Sequence, residues 1–542
     1  MELVVPLVVA HIMNVGIAEK DKMYVVYGCL ILVAFGAAGL VFALTAQYFA
    51  AKAAVGTSAK LRERVFVKLQ SLSYSDIDEI GTSAMITRMT SDCNQVQSGV
   101  NHTLRLLLRS PIIVFGAAAM AFIVDVRAAL VILGLIPVLA AVVVAVMAAS
   151  IPLYRRVQDK LDKVQLSTRE NLQGARVIRA FCKEEDEQRI FERRNARLKK
   201  AQKRAGRVAA VMNPLTYALV GLAVILLVYV GAVRVNSGAL EQGDVFALYS
   251  YISLILVELI KLANVVFIVG KAVSCQKRIG AVLDLPAEPS VVSEAPQAED
   301  GPAVEFRHVA FTYRGGGAPS LVDIDFTAKR GETVGILGGT GSGKSTLINL
   351  IPRFYEASEG QVRVGGTNVN ALPAEELRTR VAVVPQHAAL FKGSIRSNLL
   401  WGKPDATEEE LLAAVKLAQA EDVVASKGGL DGEVAQEGRN LSGGQRQRLT
   451  IARALVRKPE ILILDDSSSA LDYATDARLR AGLKTLDCTL LIVSQRTASV
   501  RHADKILVLD EGKVVGLGTH DALLKSCALY REIDASQRGE GL

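Results

Sequence analysis

The chain has 542 residues, 50% of them hydrophobic and only 5% aromatic, with a formal net charge of +8. That length admits more than one domain. The charge does not point to nucleic acid, because the basic residues flank apolar runs, as in "AKLRERVFVK" at 59–68 and "RRNARLKKAQKR" at 193–204, and no pattern of interleaved aromatic residues suggests a base-stacking surface. The cysteines Cys29, Cys93, Cys182, Cys275, Cys488 and Cys527 are scattered, so neither a disulfide framework nor a metal site is written into their spacing.

In chain order, the first element is "LVVPLVVAHIMNVGIA" at 3–18, apolar but short, with Pro6 and His11 inside it. It reads as a partial span, the second half of a membrane helix whose first half is truncated. Five longer runs follow. Residues 23–50, 128–154 and 208–233 carry no charge, 106–124 carries only Arg109, and 245–270 carries only Glu258 and Lys261. Each reaches the roughly 20 residues that cross a bilayer. As buried helices of a soluble core they would leave no polar face. The basic segments 52–68 and 155–207 face the cytoplasm, and the short turns "EKDK", "DVR" and "RVNSGALEQGD" face outward. The cytoplasmic segments extend as helices below the membrane, with tips near 71–81 and 174–186. Glu258 and Lys261, three apart, either pair with each other or line a polar pathway. Arg105 and Arg109 are placed beside a water-filled cytoplasmic section.

Residues 1–283 therefore read as an all-α transmembrane domain. Residues 284–303, "DLPAEPSVVSEAPQAEDGPA", read as a linker. From 304 to 542 apolar strands alternate with helical runs, which predicts an α/β domain with a largely parallel sheet. Its strands include "AVEFRHVAFTY", "ETVGILG", "VAVVPQ", "ILILDD", "TLLIVSQ" and "ILVLDEGKVVG", the last with a turn at 510–512.

"GGTGSGKS" at 338–345 follows a strand and fits the phosphate-loop pattern. Gly338, Gly339, Thr340, Gly341, Ser342 and Gly343 let backbone N–H groups wrap phosphates. Lys344 sets a point charge on the outer phosphates, Ser345 can hold Mg²⁺, and Thr346 continues into a helix whose positive end faces the anion. Asp465, ending "ILILD", is the acid expected to hold Mg²⁺ from the opposite side. Tyr313 lies where a ring could stack on adenine. "LSGGQRQRLTIARAL" at 441–455 opens a helix on Ser442, Gly443, Gly444 and Gln445 and carries Arg446 and Arg448. This second anion-binding helix start, in a domain that already has a phosphate loop, implies a nucleotide held by another domain.

With these motifs in order, the chain resembles an ABC exporter half-transporter, a membrane domain fused to a P-loop ABC ATPase domain. The resemblance assigns Tyr313 to adenine stacking, 338–345 to Walker A, Gln386 in "VVPQH" to the Q-loop and to the metal with Ser345 and Asp465. It also assigns 441–445 to the signature, 461–465 to Walker B, and Asp472 in "SALD" to the D-loop. It implies ATP and Mg²⁺ as cofactors, a head-to-tail pair of ATPase domains, and coupling tips at 74–81 and 174–184. The implied location is the cell membrane, multi-pass, with the ATPase domain cytoplasmic.

Two positions depart from the family pattern. Where two-site members carry Glu after the Walker B Asp, this chain has Asp466, and where they carry the switch His it has Gln495. Asp466 is one methylene short of the attacking water, and Gln495 can carry neither proton nor charge. The chain thus resembles the degenerate-site subunit of bacterial heterodimeric multidrug-type exporters. It would hold ATP at a weak site of its own and lend its intact signature to a second half-transporter. The expected substrate is hydrophobic or amphipathic: a small molecule, lipid or peptide. The competing class is a nucleotide-binding regulatory or channel-like membrane subunit that does not pump.

Overall fold

The computed structural model describes residues 1–288, 301–467 and 469–538. They form two compact units, one of Met1–Leu69 with Ser83–Leu285 and one of Gln70–Thr82 with Pro286–Leu542. Most of the stretch read as a linker, 289–300, lies outside the described residues.

The first unit is helical. Five helices are long and apolar enough to cross a membrane: Lys22–Gln70, Thr82–Val124, Val126–Gln173, Glu184–Asn236 and Gln242–Leu283. Their 42 to 53 residues correspond to about 63–80 Å at 1.5 Å per residue, twice the hydrocarbon thickness of about 30 Å. Each span therefore continues as a polar helix into water, which is why the apolar runs in the sequence are shorter than the helices that contain them.

Local chemistry sets the ends. Asp125 caps Val126–Gln173 by accepting the Ala128 N–H at 2.8 Å, and its other oxygen accepts from Arg234 Nε at 3.1 Å, stapling one outward turn to another. Glu241 and Asp244 form a reciprocal capping box at the start of Gln242–Leu283. The short N-terminal helix Val5–His11 packs on that last helix. Asn14 Oδ1 accepts the Gly243 N–H at 2.7 Å, and a Cβ at Gly243 would stand 2.4 Å from the Ala10 carbonyl oxygen, so only glycine permits the approach. Tyr251 donates to the Leu3 carbonyl at 2.7 Å.

Glu258 and Lys261 do pair, with Nζ 2.8 Å from Oε1. The second carboxylate oxygen accepts from Ser110 at 2.7 Å, and Glu258 is only 2% exposed. Both oxygens of this buried acid are thus satisfied. Arg109 pairs with Glu2, and Arg105 donates to Gln47.

The second unit is built on a six-stranded sheet. From edge to edge its strands are Lys513–Gly518, Lys505–Asp510, Thr333–Gly338, Thr489–Ser494, Ile461–Asp465 and Val381–Val384. All neighbours are parallel except the hairpin of the first two, which turns at 510–512. The inner strands are buried along nearly their whole length, which explains their unbroken Val, Ile and Leu runs. A second, antiparallel sheet orders Leu321–Ala328, Val304–Phe311, Glu359–Val364 and Thr367–Asn368. Its core joins the first sheet through Phe306, Phe326, Leu347 and Ile463.

The helix Tyr74–Ile80 belongs to this unit although it connects two membrane helices in the chain. Ser73 caps it by accepting the Asp76 N–H. Asp76 is 5% exposed and accepts from Arg314 Nη1 at 2.6 Å, Tyr355 donates to Asp78 at 2.5 Å, and the Tyr74 ring lies 4.6 Å from that of Phe354.

Candidate nucleotide site

The parallel sheet gathers the sequence motifs. Register pairs Val493 with Asp465, Ser494 with Leu337 and Val384 with Leu464. The phosphate loop, Asp465 and Asp466, Gln495 and Gln386 therefore all leave the carboxyl ends of four neighbouring strands. Open parallel sheets place ligands outside that edge.

The loop is shaped by its glycines. Gly343 ends it in a left-handed conformation (φ 96°) just before the helix Lys344–Leu350. A Cβ on Gly338 would fall 2.3 Å from the Leu509 carbonyl and 2.5 Å from Ser342 Oγ. The loop is thereby drawn tight, with Gly339, Thr340 and Gly341 exposed at its crest. Lys344, 8% exposed, folds back to donate to the carbonyls of Gly338 at 3.0 Å and Gly339 at 2.6 Å. Burial pushes its ammonium below the ordinary lysine range, opposed by the nearby Asp466 and Asp465. An anion in the loop would relieve that desolvation.

Ser345 Oγ donates to Asp465 Oδ1 at 3.3 Å, joining Walker A to Walker B across the sheet edge. Ser345, Asp465 and the Gln386 amide oxygen are hard oxygen donors, the set that suits Mg²⁺ with phosphate. No cluster of three or more acidic, His or Cys ligands occurs among the described residues. The residues present fit a metal brought in with the nucleotide rather than one caged by protein.

Burial pushes the carboxyls of Asp465 and Asp466 above the ordinary aspartate value. At Asp465 the Ser345 hydrogen bond opposes the shift, and at Asp466 the charges of Lys344 and Arg496 and a hydrogen bond from Gln386 oppose it. Asp466 has φ 43°, a left-handed conformation that Asp tolerates better than most residues. Its own N–H is spent on the Val493 carbonyl at 3.0 Å. Gln495 is exposed, and its carbonyl accepts from Gln537 Nε2 at 2.7 Å.

Tyr313 stands beside the loop, with its hydroxyl 3.1 Å from Thr346 Oγ1 and its ring edge-on to Phe311 and Tyr355. The signature opens the helix Gly443–Val456 with a full capping box. Ser442 Oγ takes the Gln445 N–H, and Gln445 Oε1 takes the Ser442 N–H at 2.9 Å. One first-turn N–H is therefore already used, and those of Gly443 and Gly444 lead the helix. Arg448 is occupied by a bidentate pair with Asp422. Asp472 caps the helix Tyr473–Leu483 by accepting the Thr475 N–H at 2.9 Å, which holds its carboxyl below the ordinary range.

Two residues absent from the sequence reading belong to this region. Gln447, 2% exposed, donates to the Pro385 carbonyl at 3.3 Å, tying the signature helix to the base of the Q-loop. Gln537, in the last helix Ala528–Arg538, bonds Gln495 and accepts from the Thr497 N–H at 2.8 Å, gripping the switch loop on both sides. The sequence offers no signal for Gln537. The spacing of Gln447 from the apolar Ile451 and Leu455, four and eight positions on, does place it on the inner face of the helix.

Comparison with known proteins agrees with this arrangement. The family model described as ABC transporter transmembrane region matches residues 1–259, and the one described as ABC transporter matches residues 321–469. The chain is 36% identical over 547 residues to the uncharacterized ABC transporter ATP-binding protein YfiB of Bacillus subtilis (strain 168), covering 99% of this chain and 94% of YfiB. It is 28% identical over 532 residues to the ATP-dependent lipid A-core flippase of Chromobacterium violaceum, covering 97% and 90%. A solved bacterial Atm1-family ABC exporter with ATP bound matches with a TM-score of 0.82 at 22% identity, covering 100% of this chain and 96% of that one, a likeness of fold.

Proposed function

We propose, from the premise that the chain belongs to the ABC transporter family, that it is the slow-hydrolysing subunit of a heterodimeric exporter. It is a multi-pass membrane protein with a cytoplasmic ATPase domain. One observation carries the proposal: Asp466 and Gln495 stand together at one sheet edge, while the capping box of the signature is intact.

In this reading ATP lies between the phosphate loop of this chain and the signature of a second half-transporter. Tyr313 packs on the adenine, and Gly338 to Thr346 hold the phosphates. Ser345, Asp465 and Gln386 would hold Mg²⁺, which would supply charge neutralisation at the outer phosphates. Asp466 accepts a proton from the attacking water only across an extended distance. Base catalysis is worth about 10²–10⁴-fold and depends on that reach. Gln495 offers a neutral hydrogen bond where a cationic group would steady the γ-phosphate, and Asp472 borders the opposing site. The 441–445 signature completes the partner's site, where hydrolysis is fast. ATP-driven closure moves the coupling tips, and a hydrophobic or amphipathic small molecule, lipid or peptide leaves the cytoplasm through the bilayer. Nucleic acid has no part in it.

The exposed tip 174–184 supports the need for a second subunit, since Val177 and Phe181 are 59% and 72% exposed there. The test is ATP turnover of the purified chain alone and mixed with its partner half-transporter, with uptake of an amphipathic dye into inverted vesicles. Slow turnover alone and fast turnover with transport in the pair is the expected result. Brisk turnover by the isolated chain overturns the unequal-pair reading.

A further inference from the structure

We propose that a cleft between the cytoplasmic continuations of two membrane helices binds a phosphate-bearing anion of two or more negative charges, held by Lys160, Lys163, Arg194 and Arg197. The cleft measures about 430 Å³ and lies between Val126–Gln173, which supplies the two lysines, and Glu184–Ala210, which supplies the two arginines. Leu166, 52% exposed, adds an apolar wall, and no acidic side chain lines the cleft among the described residues. That volume is within the range of small-ligand sites.

Lys160 and Lys163, three apart, share one face of the first helix, and Arg194 and Arg197 share one face of the second. The two faces meet, since Arg194 Nη1 donates to the Lys163 carbonyl at 3.5 Å. None of the four cations forms an ion pair among the described residues. The carboxylates of adjoining turns are engaged elsewhere. Asp162 accepts from Gln158 Nε2 at 2.9 Å, and Glu192 accepts from Gln188 Nε2 at 3.5 Å. Closer to the tip the second helix does balance its charge, with Lys183 on Asp186 and Arg189 on Glu185. The four-cation stretch is thus an exception along its own helices. Converging cations repel one another unless an anion sits among them. Two guanidinium forks and two ammonium groups match the several oxygens of a phosphate or pyrophosphate better than a single carboxylate.

Depth places the cleft on the water side of the membrane surface. Lys160 and Lys163 follow Tyr154, the end of the uncharged run 128–154, by six and nine residues, about 9 and 14 Å at 1.5 Å per residue. The headgroup layer extends roughly 5–8 Å beyond the hydrocarbon. A soluble phosphate compound therefore enters directly, and a lysine stem also reaches up to a phospholipid headgroup. Either source presents the same chemistry, and the site stands whether or not the chain pumps.

The test uses the full chain in nanodiscs, carrying Lys344→Ala to silence the phosphate loop. In phosphatidylcholine alone, calorimetric titration with inorganic pyrophosphate should show one-to-one binding that weakens as salt rises. Lys163→Gln with Arg194→Gln should weaken it by about ten- to a hundredfold, and so should Lys160→Gln with Arg197→Gln. Lys199→Gln with Lys200→Gln, an equal charge change on exposed residues outside the cleft, should leave it unchanged. Each pair of cleft changes should also raise the apparent melting temperature without anion, because it removes repulsion, and should lose the further rise that pyrophosphate gives the parent. In a second arm cardiolipin is mixed into the bilayer, and retained lipid is counted by native mass spectrometry. Retained cardiolipin that displaces pyrophosphate and is lost in the cleft variants identifies a headgroup as the occupant. Pyrophosphate binding that is indifferent to cardiolipin identifies a soluble anion. If neither probe binds, or if Lys199→Gln with Lys200→Gln loses as much as the cleft variants, the four charges are an ordinary solvated face and the proposal falls.

Discussion

Asp466 is a residue whose backbone and side chain pull in one direction. Its left-handed φ of 43° suits aspartate, and its short side chain is met by Gln386 and by the charge of Lys344. Glutamate would extend the carboxylate toward a water on the γ-phosphate at a small backbone cost. The double change Asp466→Glu with Gln495→His should raise hydrolysis at this site by about ten- to a hundredfold, measured as turnover in an assembled pair whose other site is inactivated. An unchanged rate would place the weakness in the partner's signature. At Asp465 the sign of the pKa shift gives a separate prediction. Burial raises its folded-state pKa above 3.8, so it becomes neutral at a pH where a free aspartate is still ionised. A neutral carboxyl is a poor metal ligand. The Mg²⁺-dependent part of ATP binding should thus fade on acidification before pH 3.8 is reached, and Asp465→Asn should lack that part at every pH. A fluorescent ATP analogue, titrated with and without chelator, reads both. By the same sign, the buried charge of Asp465 costs stability above its folded pKa, and that cost is relieved as pH falls.

At the level of elements, the switch loop is held from outside by the helix Ala528–Arg538. Gln537 supplies a donor to Gln495 and an acceptor to Thr497. Removing it with Gln537→Leu should speed amide hydrogen exchange across 495–497 by roughly fivefold, the loss of about 1 kcal/mol, while the sheet strands exchange as before. Equal exchange in the variant would show that the loop is fixed by its own backbone. This contact also marks where sequence reading stops. The placement of the 338–345 loop, Asp465, Gln386 and Gln495 at strand ends, and of 441–445 at a helix start, was legible because each is a local pattern attached to a strand or helix end. The long apolar runs were legible because a bilayer dictates their length. Gln537 with Gln495, Gln447 with Pro385 and Arg314 with Asp76 join residues 42, 62 and 238 positions apart. Spacing carries no trace of such pairs, since each joins segments that only the tertiary fold brings together.

For the whole molecule, the exposed tip between Val126–Gln173 and Glu184–Ala210 is the part that a partner would cover in the paired arrangement proposed above. Val177 and Phe181 on it are exposed apolar side chains on a short helix, Ala175–Ala180, and its flank. Phe181→Asp should prevent co-purification with a partner half-transporter and leave ATP binding by the lone chain intact. Size-exclusion chromatography and nucleotide titration separate the two effects. Normal assembly of the variant would show that the pair is held by the membrane helices alone.

The helix Tyr74–Ile80 carries one further consequence, and it concerns time. Asp76 finds Arg314 only 238 positions later in the chain, and Asp78 finds Tyr355 only 277 positions later. A ribosome adding about 5–20 residues per second needs roughly 12 to 55 s to supply those partners. Throughout that interval the nascent membrane half presents an unpaired acid and an uncovered aromatic ring at its cytoplasmic tip. The segment thus goes without these partners until the second half of the chain has been made.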